Sequence, residues 1–546
     1  MARIRTDRCV ARPATRIAAA REPAAIDRPI APPEPSPVPA AAPPEPATAH
    51  AAKAPPSVGG WTSRDTIALL AVVAAAVVLR FVSLGRPVEL VFDEIFYARD
   101  ACWYVAGTES VCGITELASR THPPLGKWLI GAGIAVFGYD PFGWRVTVAV
   151  AGSLSVALLH VLAWRLLRPV VPGMRATVGA SVASGLLAID LLALVQSRVA
   201  MLDAFIALFV IGAVLAVVLD RDRRRPTEGA GRPWWWWPTL GRPWRLVAGA
   251  CLGAAAAVKW SGAYVAPLVI GLVVIWEILE RRRATPGAGW GAAVRTAVRR
   301  EAMPTLVLLG VVPVLVYVAS YTGRMPGELL AVPWDPGSVW NGIWQHQRAM
   351  LDFHTELGGN HPYESPAWSW PFLRRPVAYW FGDEGGAYRE ILAMGNPVVW
   401  WPALAALGAL VVTWWRAAWD WLRPEPVILG AAGATYLPWL VLSGDRSQTF
   451  LWYLLPTVPF ACLALAWWAA LAWGRVRWRV VAAVYAALVV GSFAFWLPMA
   501  TALPLDPDGW RMRILFADCD RPDGVVQDLP DDSSSQGLPP DGWCWI

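Results

Sequence analysis

The run Ile67-Ala68-Leu69-Leu70-Ala71-Val72-Val73-Ala74-Ala75-Ala76-Val77-Val78-Leu79-Arg80-Phe81 is apolar throughout except for Arg80. With its flanks it fills residues 66–84, and about 20 apolar residues in a helix cross a ~30 Å hydrocarbon layer. An arginine inside such a span is costly unless it meets an anion or an aqueous cavity. Residues 1–60 before it are rich in Ala, Pro and Arg and hold no apolar h-region. They read as a disordered tail, and the first span as an uncleaved anchor with the basic N-terminus in the cytoplasm.

The pattern recurs. Further runs lie near 144–164, 176–196, 199–219, 246–258, 261–279, 303–320, 396–415, 426–443, 449–473 and 480–499. The expected fold is therefore an all-α polytopic membrane protein of about 11 spans. Of the 546 residues 56% are hydrophobic and 16% charged, against about 25% charged in an ordinary soluble domain, which excludes a soluble globular enzyme. Only Lys53, Lys127 and Lys259 among the 47 basic residues are lysine, a bias expected of a GC-rich bacterial genome. The net charge of +6 does not signal nucleic acid, since no basic stripe interleaved with aromatics is present.

Arginine clusters at Arg165/Arg168/Arg175, Arg221–Arg225, Arg281–Arg283, Arg416/Arg423 and Arg475/Arg477/Arg479 all fall on one side of this assignment, the cytoplasmic one. An odd number of spans then puts the C-terminus outside the plasma membrane. Both loops flanking 246–279 are basic, so that segment is expected to be a hairpin with Lys259 at its outer turn. Trp234–Trp237 lie in the first of those loops and read as interfacial anchors. The membrane domain covers 61–500, with outer loops 85–143 and 321–395 and an extracytoplasmic tail 501–546. Leu125 to Phe137 in the first loop is amphipathic and expected on the membrane surface. On the oxidising side, Cys102/Cys112 and Cys519/Cys544 are each close enough to form a disulfide or remain free thiols.

Chemistry is expected at the outer face. Asp93-Glu94 open the first outer loop, Thr121-His122-Pro123-Pro124-Leu125-Gly126-Lys127 follow in it, and Arg80, Arg145, Arg198, Lys259 and Arg446 all sit at outer span ends. Cations at that depth suit the phosphate of a lipid whose tail stays in the bilayer. Asp190 is a candidate structural partner for one of them, and Arg198 could instead pair with Asp203. His346, His354 and His361 share the long loop at a spacing that fits no compact metal site.

Asp93-Glu94, His122 to Lys127, Gln196-Ser197-Arg198 with Leu202-Asp203, Val258-Lys259-Trp260 and above all Asn360-His361-Pro362-Tyr363-Glu364-Ser365-Pro366-Ala367-Trp368-Ser369-Trp370-Pro371 resemble the bacterial protein O-mannosyltransferases of actinobacterial type. The resemblance runs from about residue 60 to 500. It implies the C-type glycosyltransferase architecture and transfer of mannose from polyprenyl-phosphate mannose to Ser or Thr of secreted proteins. Inversion and no required metal or other cofactor are further implications, and whether the enzyme acts alone or with the secretion translocon as a partner stays open.

By this resemblance Asp93 is the catalytic acid residue, and Glu94 assists it or orients the acceptor peptide. Arg80, Arg145, Arg198, Lys259 and Arg446 hold the donor phosphate. His122, Lys127 and His361 bind acceptor or sugar, although His122 could equally fix its Pro-Pro turn. Tyr363, Trp368 and Trp370 are expected to brace the long loop on the membrane, and Tyr453 and Pro456 to be structural. The acidic tail with Asp531-Asp532-Ser533-Ser534-Ser535 departs from the family pattern. Two rival readings stay open: a lipid-linked sugar transferase acting on a lipid or polysaccharide, and a transporter. Polar residues crowded at one face rather than the midplane argue against the second.

Overall fold

The computed structural model describes residues 60–223, 242–285, 287, 289–325, 328–330, 339–356, 363–442 and 448–514. The N-terminal tail to residue 59, Trp234–Trp237, His361, Arg446, Cys519, Cys544 and the acidic tail lie outside the described residues.

Helix α1 (Ser63–Phe81) begins where the backbone N–H and hydroxyl of Thr62 both donate to Asp65 Oδ2, at 2.8 and 2.6 Å. The first outer loop is not a loop: it folds into α2 (Glu94–Val105), α3 (Glu109–Cys112) and α4 (Leu125–Phe137). Cys102 and Cys112 are joined by a disulfide that ties α3 to the end of α2. Then come α5 (Pro141–Leu167), α6 (Gly173–Ala188), α7 (Leu191–Gln196), α8 (Asp203–Asp222), α9 (Pro243–Val258), a 3-10 turn (Trp260–Val265) and α10 (Ala266–Ala284). Helices α11 (Trp290–Leu306) and α12 (Val312–Ala319) are joined through a π turn at Val307–Val311, just beyond Pro304. Strands β1 (Thr322–Met325) and β2 (Glu328–Leu330) pair antiparallel, and α13 (Val339–Glu356) follows. The antiparallel hairpin of β3 (Val377–Glu384) and β4 (Ala387–Ala393) precedes α14 (Pro397–Arg416), α15 (Glu425–Leu442), α16 (Val458–Ala472), α17 (Val476–Ala500) and α18 (Pro507–Arg511).

Eight of the described helical segments are long and apolar enough to span a membrane, fewer than the eleven expected. The shortfall has local causes. Helix α1 carries Arg64, Asp65 and Arg80, the expected span 176–196 is broken at Ile189-Asp190 between α6 and α7, and α9 has only 16 residues. The two strand pairs also correct the all-α expectation; both occupy the long segment 321–395.

Ion pairs fix which helix ends lie together. At the start of α9, Arg242 and Arg245 reach Glu301 at 2.7 Å each, and Arg281 at the end of α10 lies 3.9 Å from the same carboxylate. Residues 243–284 therefore form the hairpin read from sequence, with Lys259 at its far end. Where α9 crosses the α11–α12 helix, a methyl group on Gly249 or Gly253 would lie 1.8 Å from Leu308 O or 2.5 Å from Pro313 O. Only glycine admits this approach. Arg165 and Arg168, at the end of α5, face Asp222, at the end of α8. The beginnings of α5 and α8 thus lie at the opposite end, together with Asp93 and Lys259.

Helix α13 is two-faced. Trp340, Trp344 and Leu351 are exposed at 69, 62 and 52%, whereas Ile343, His346 and Met350 are buried. His346 bridges Tyr321 Oη and Arg120 O, both at 2.9 Å. Trp370 is fully buried against Trp439 and Tyr453 rather than laid on a membrane surface, while Trp368 is exposed.

Candidate active site

Asp93 and Glu94 follow the C-terminal end of α1 on a turn whose Phe92 has φ +50°, a left-handed conformation costing a non-glycine residue about 1–2 kcal/mol. The Phe92 ring stacks on Tyr379 at 4.4 Å, which helps hold that turn. Its effect is to send the two carboxylates in different directions.

Glu94 turns into the bundle and is fully buried. Its Oε1 accepts from Arg145 Nε (2.8 Å) and Ala200 N (2.7 Å), and its Oε2 from Arg145 Nη2 (2.7 Å) and Val91 N (2.9 Å). All its strong acceptor directions are in use, which fixes the backbone that carries Asp93.

Asp93 is half-buried at the N-terminus of α2, hydrogen-bonded by Tyr97 one turn on. Burial pushes its carboxyl up to about 6, against the opposing pull of Lys259 and the Tyr97 hydroxyl, with Asp203 adding to the rise. Lys259 donates to Asp203 Oδ2 at 2.6 Å and lies 5.4 Å from the Tyr453 ring centre. The local backbone explains the placement. Lys259 is extended (φ −148°, ψ 146°) and ends α9, while Asp203 opens α8, where the helix dipole favours a carboxylate.

Around this core, Gln196 Nε2 donates to Tyr379 Oη at 2.6 Å. The His122 ring lies 6.0 Å from Tyr97 and 5.7 Å from His354, and His354 lies 6.2 Å from Trp260. His122 thus lies near Tyr97, on the helix that Asp93 begins. Tyr97, Tyr379 and His354 were not singled out as site residues. Tyr97 had a signal, four residues after Asp93 on one helix face; Tyr379 had none, since it arrives on β3.

The expected cations are mostly engaged elsewhere. Arg145 Nη1 donates to Leu84 O (3.3 Å) and Pro87 O (2.7 Å), and Nη2 also to Glu89 O (3.0 Å); with Glu94 this occupies the whole guanidinium. Arg198 gives Nη1 to Leu79 O, Arg80 O and Val82 O at 2.9, 3.1 and 2.8 Å, and Nη2 to Ser83 O at 3.3 Å. It closes the carbonyl end of α1, and Lys259 rather than Arg198 pairs with Asp203. Arg80 is 1% exposed and lines a small cavity of about 20 Å³ with Ser155 and Ser197. Its Nη1 reaches Ala76 O and Ala188 O at 3.3 Å, and its Nε has no partner among the described residues. Asp190 caps α7 and accepts from Trp400 Nε1 at 2.7 Å, forming no ion pair with an arginine among the described residues.

Lys127 also departs from expectation. It is 1% exposed, pairs with buried Asp100 at 2.7 Å and donates to Ser119 O. Asp100 in turn accepts from Ala118 N and Ser119 N, so the pair holds the 117–121 strap and touches no open site. Among the described residues no group of three His, Cys, Asp or Glu gathers as a metal site would.

A bundle of membrane-length helices with a half-buried carboxylate beside a paired lysine at one end defines a multi-span membrane protein with an acid–lysine cluster at that end. The family model for dolichyl-phosphate-mannose-protein mannosyltransferase matches residues 70–322, and that for the C-terminal four-span region of protein O-mannosyltransferase matches 339–518. The polyprenol-phosphate-mannose–protein mannosyltransferase of Mycobacterium tuberculosis is 31% identical over 504 residues, covering 83% of this chain and 91% of that protein. That of Corynebacterium glutamicum is 30% identical over 501 residues, covering 80% and 90%. The structure of the Saccharomyces cerevisiae protein O-mannosyltransferase Pmt1-Pmt2 complex bound to the sugar donor superimposes with a TM-score of 0.66 at 15% identity, over 88% of this chain and 96% of that one; it shares the fold. The chain belongs to the protein O-mannosyltransferase family and is a glycosyltransferase.

Proposed function

We propose that the protein transfers mannose from polyprenyl-phosphate mannose to Ser or Thr hydroxyls of secreted proteins, with Asp93 as the base. The observation that carries this is Asp93 itself: half-buried, raised to about 6, and set beside Lys259, Asp203 and Tyr97. A carboxylate of raised basicity accepts a hydroxyl proton more readily while remaining ionised at neutral pH. The acceptor oxygen attacks the anomeric carbon opposite the phosphate, the bond from that carbon to the phosphate oxygen breaks, and the configuration inverts. Polyprenyl phosphate is already a good leaving group, so one base suffices where a glycoside hydrolase needs two carboxylates.

Negative charge grows on the departing phosphate, and a fixed cation in a partly dry site is an effective source of rate. Lys259 donates one hydrogen bond to Asp203, and an ammonium group has three N–H donors. We assign it, with Arg446, to the phosphate. Arg80, Arg145 and Arg198 belong to the frame on this reading. Orientation follows from charge: Arg165, Arg168, Arg242, Arg245 and Arg281 crowd the end opposite Asp93. That end is the cytoplasmic one by the positive-inside rule, which puts the chemistry outside and the N-terminus within.

The test is incubation of membranes with labelled polyprenyl-phosphate mannose and a Thr/Pro-rich peptide. Wild type should label the peptide and Asp93→Asn should not. Equal labelling by both would remove Asp93 from the mechanism, and label in lipid but not peptide would favour a lipid acceptor.

A further inference from the structure

At the end of the bundle away from Asp93, the first turn of α6, the last turns of α16 and the first turn of α17 enclose an open groove of about 650 Å³. Arg175, Trp468, Leu471, Gly474, Arg475 and Trp478 line it, and its surface is mostly apolar. Gly474 lets Arg175 lie across the bend between α16 and α17, since a methyl group there would fall 2.3 Å from Arg175 Nη2. The Trp468 indole is fixed by donation to Ala406 O at 3.1 Å, whereas Trp478 is 42% exposed. Arg477 stacks over Trp478 at 5.9 Å, and Arg479 donates to Trp473 O at 2.8 Å.

Among the described residues none of Arg175, Arg475, Arg477 and Arg479 forms an ion pair. Several arginines of the same end are paired, while Arg64, Arg223, Arg299 and Arg416 are, like these four, without an ion pair among the described residues; what sets Arg175 and Arg475 apart is the groove they line. Arg165 and Arg168 face Asp222, Arg242 and Arg245 face Asp220 and Glu301, and Arg423 faces Glu425. Four guanidinium groups without carboxylates, set at the end of two apolar helices beside an apolar slot floored by tryptophan, lack a negative charge and an acyl chain. One molecule supplies both.

We propose that this groove binds an anionic phospholipid of the leaflet opposite the active site, its phosphate held by Arg175 and Arg475 and the upper part of one acyl chain lying along Leu471, Trp468 and Trp478. Arginine suits the role because its planar fork takes two phosphate oxygens at once, and basic pockets between membrane helices are established headgroup sites. The glycolipid donor is not the occupant, because its mannose would lie at the far end of the bundle from Asp93.

Native mass spectrometry of the full-length protein, titrated with phosphatidylglycerol and with phosphatidylcholine of the same chains, tests this directly. Phosphatidylglycerol should bind at least about tenfold more tightly. The double variant Arg175→Gln/Arg475→Gln should lose that preference, and Arg283→Gln, at the end of α10 beside Asp420 and not among the residues lining the groove, should keep it. A photoactivatable phosphatidylglycerol on the wild type provides a readout that needs no variant, with cross-links expected in 468–478. Equal binding of the two lipids, cross-links confined to other segments, or displacement by millimolar inorganic phosphate alone would each overturn the assignment.

Discussion

Arg145 meets Glu94 edge to edge, Nε to Oε1 at 2.8 Å and Nη2 to Oε2 at 2.7 Å, with both side chains at 1% exposure or less. The two enclosed groups offset each other's burial, and together they tether the 84–94 turn to α5 and to Ala200. The geometry of Asp93 is inherited from its neighbour.

Glu94→Gln should therefore fail differently from Asp93→Asn. Removing one partner of a buried pair leaves the other uncompensated, at a cost of about 3–5 kcal/mol. The expected result is a large fall in melting temperature with loss of transfer. Arg145→Gln should behave alike, and Arg145→Lys should not rescue it, since an ammonium group cannot make the two-pronged contact. A Glu94→Gln protein that melts like wild type but transfers no sugar would return Glu94 to the chemistry.

Asp93→Asn should abolish transfer and leave the fold at least as stable as wild type at neutral pH. The sign follows from the raised pKa. Between the ordinary value of 3.8 and the folded value of about 6, the folded state keeps a proton that the unfolded chain has lost. This group's contribution to stability therefore declines as pH rises through that window and stays low above it. Asparagine removes the penalty. Wild-type transfer should fall as the base protonates, to about one-tenth of its plateau one pH unit below the pKa. Thermal melts and a pH–rate profile on the same membranes check both statements, and a profile flat down to pH 5 would contradict the assignment.

Lys259 and Asp203 can be separated by a double-variant cycle. Lys259→Met should lower transfer by about 10²–10³ and also destabilise, because it strands Asp203 at 2% exposure. Adding Asp203→Asn should recover the melting temperature by removing the stranded charge. Transfer should stay low. Recovery of both together would make the pair purely structural.

The apolar runs and arginine clusters were enough to read most of the long helices and a hairpin over 246–279, which the structure extends to 243–284, because a bilayer imposes a length and a charge asymmetry that are local in sequence. Membrane-facing composition could not show that 85–143 and 321–395 are folded. Their elements close through distant partners: Trp380 on β3 reaches Glu89 at 2.7 Å, and His354 reaches Thr121 O at 3.1 Å. For the same reason Arg145 and Arg198 resembled ligands. A buried cation satisfied by carbonyls 50 to 120 residues away has the same one-dimensional signature as one awaiting a phosphate. Asp93 stands out in sequence by its neighbour Glu94, while the approach of Tyr379 on β3 to Phe92 required the fold.

The disulfide offers a separate check on the first outer segment. Cys102 and Cys112 are 10 residues apart and tie α3 to the helix that Asp93 begins. Cys112→Ser should cost about 2–3 kcal/mol of stability. Reductant should lower the wild-type melting temperature toward that of the variant and leave the variant unchanged; a wild type insensitive to reductant would mean that the pair is unformed in the isolated protein.

Glu390 on β4 predicts a pH dependence of stability unconnected with catalysis. It is 1% exposed, its Oε2 accepts from Trp510 Nε1 at 2.7 Å, and its Oε1 has no partner among the described residues. Burial pushes the carboxyl from 4.5 up to about 8, with the Trp510 hydrogen bond pulling weakly the other way. Below 4.5 both folded and unfolded chains hold the proton, and above about 8 neither does. In between only the folded chain does, so the contribution of Glu390 to stability falls steadily as pH rises across that window. Glu390→Gln keeps the shape and the Trp510 hydrogen bond but cannot ionise. The melting temperature of the variant minus that of wild type should therefore grow from pH 5 to pH 8 and then level off. A difference constant with pH would mean that the Glu390 carboxylate meets water in the native state and that the packing of Trp510 over β4 is looser than the fold requires.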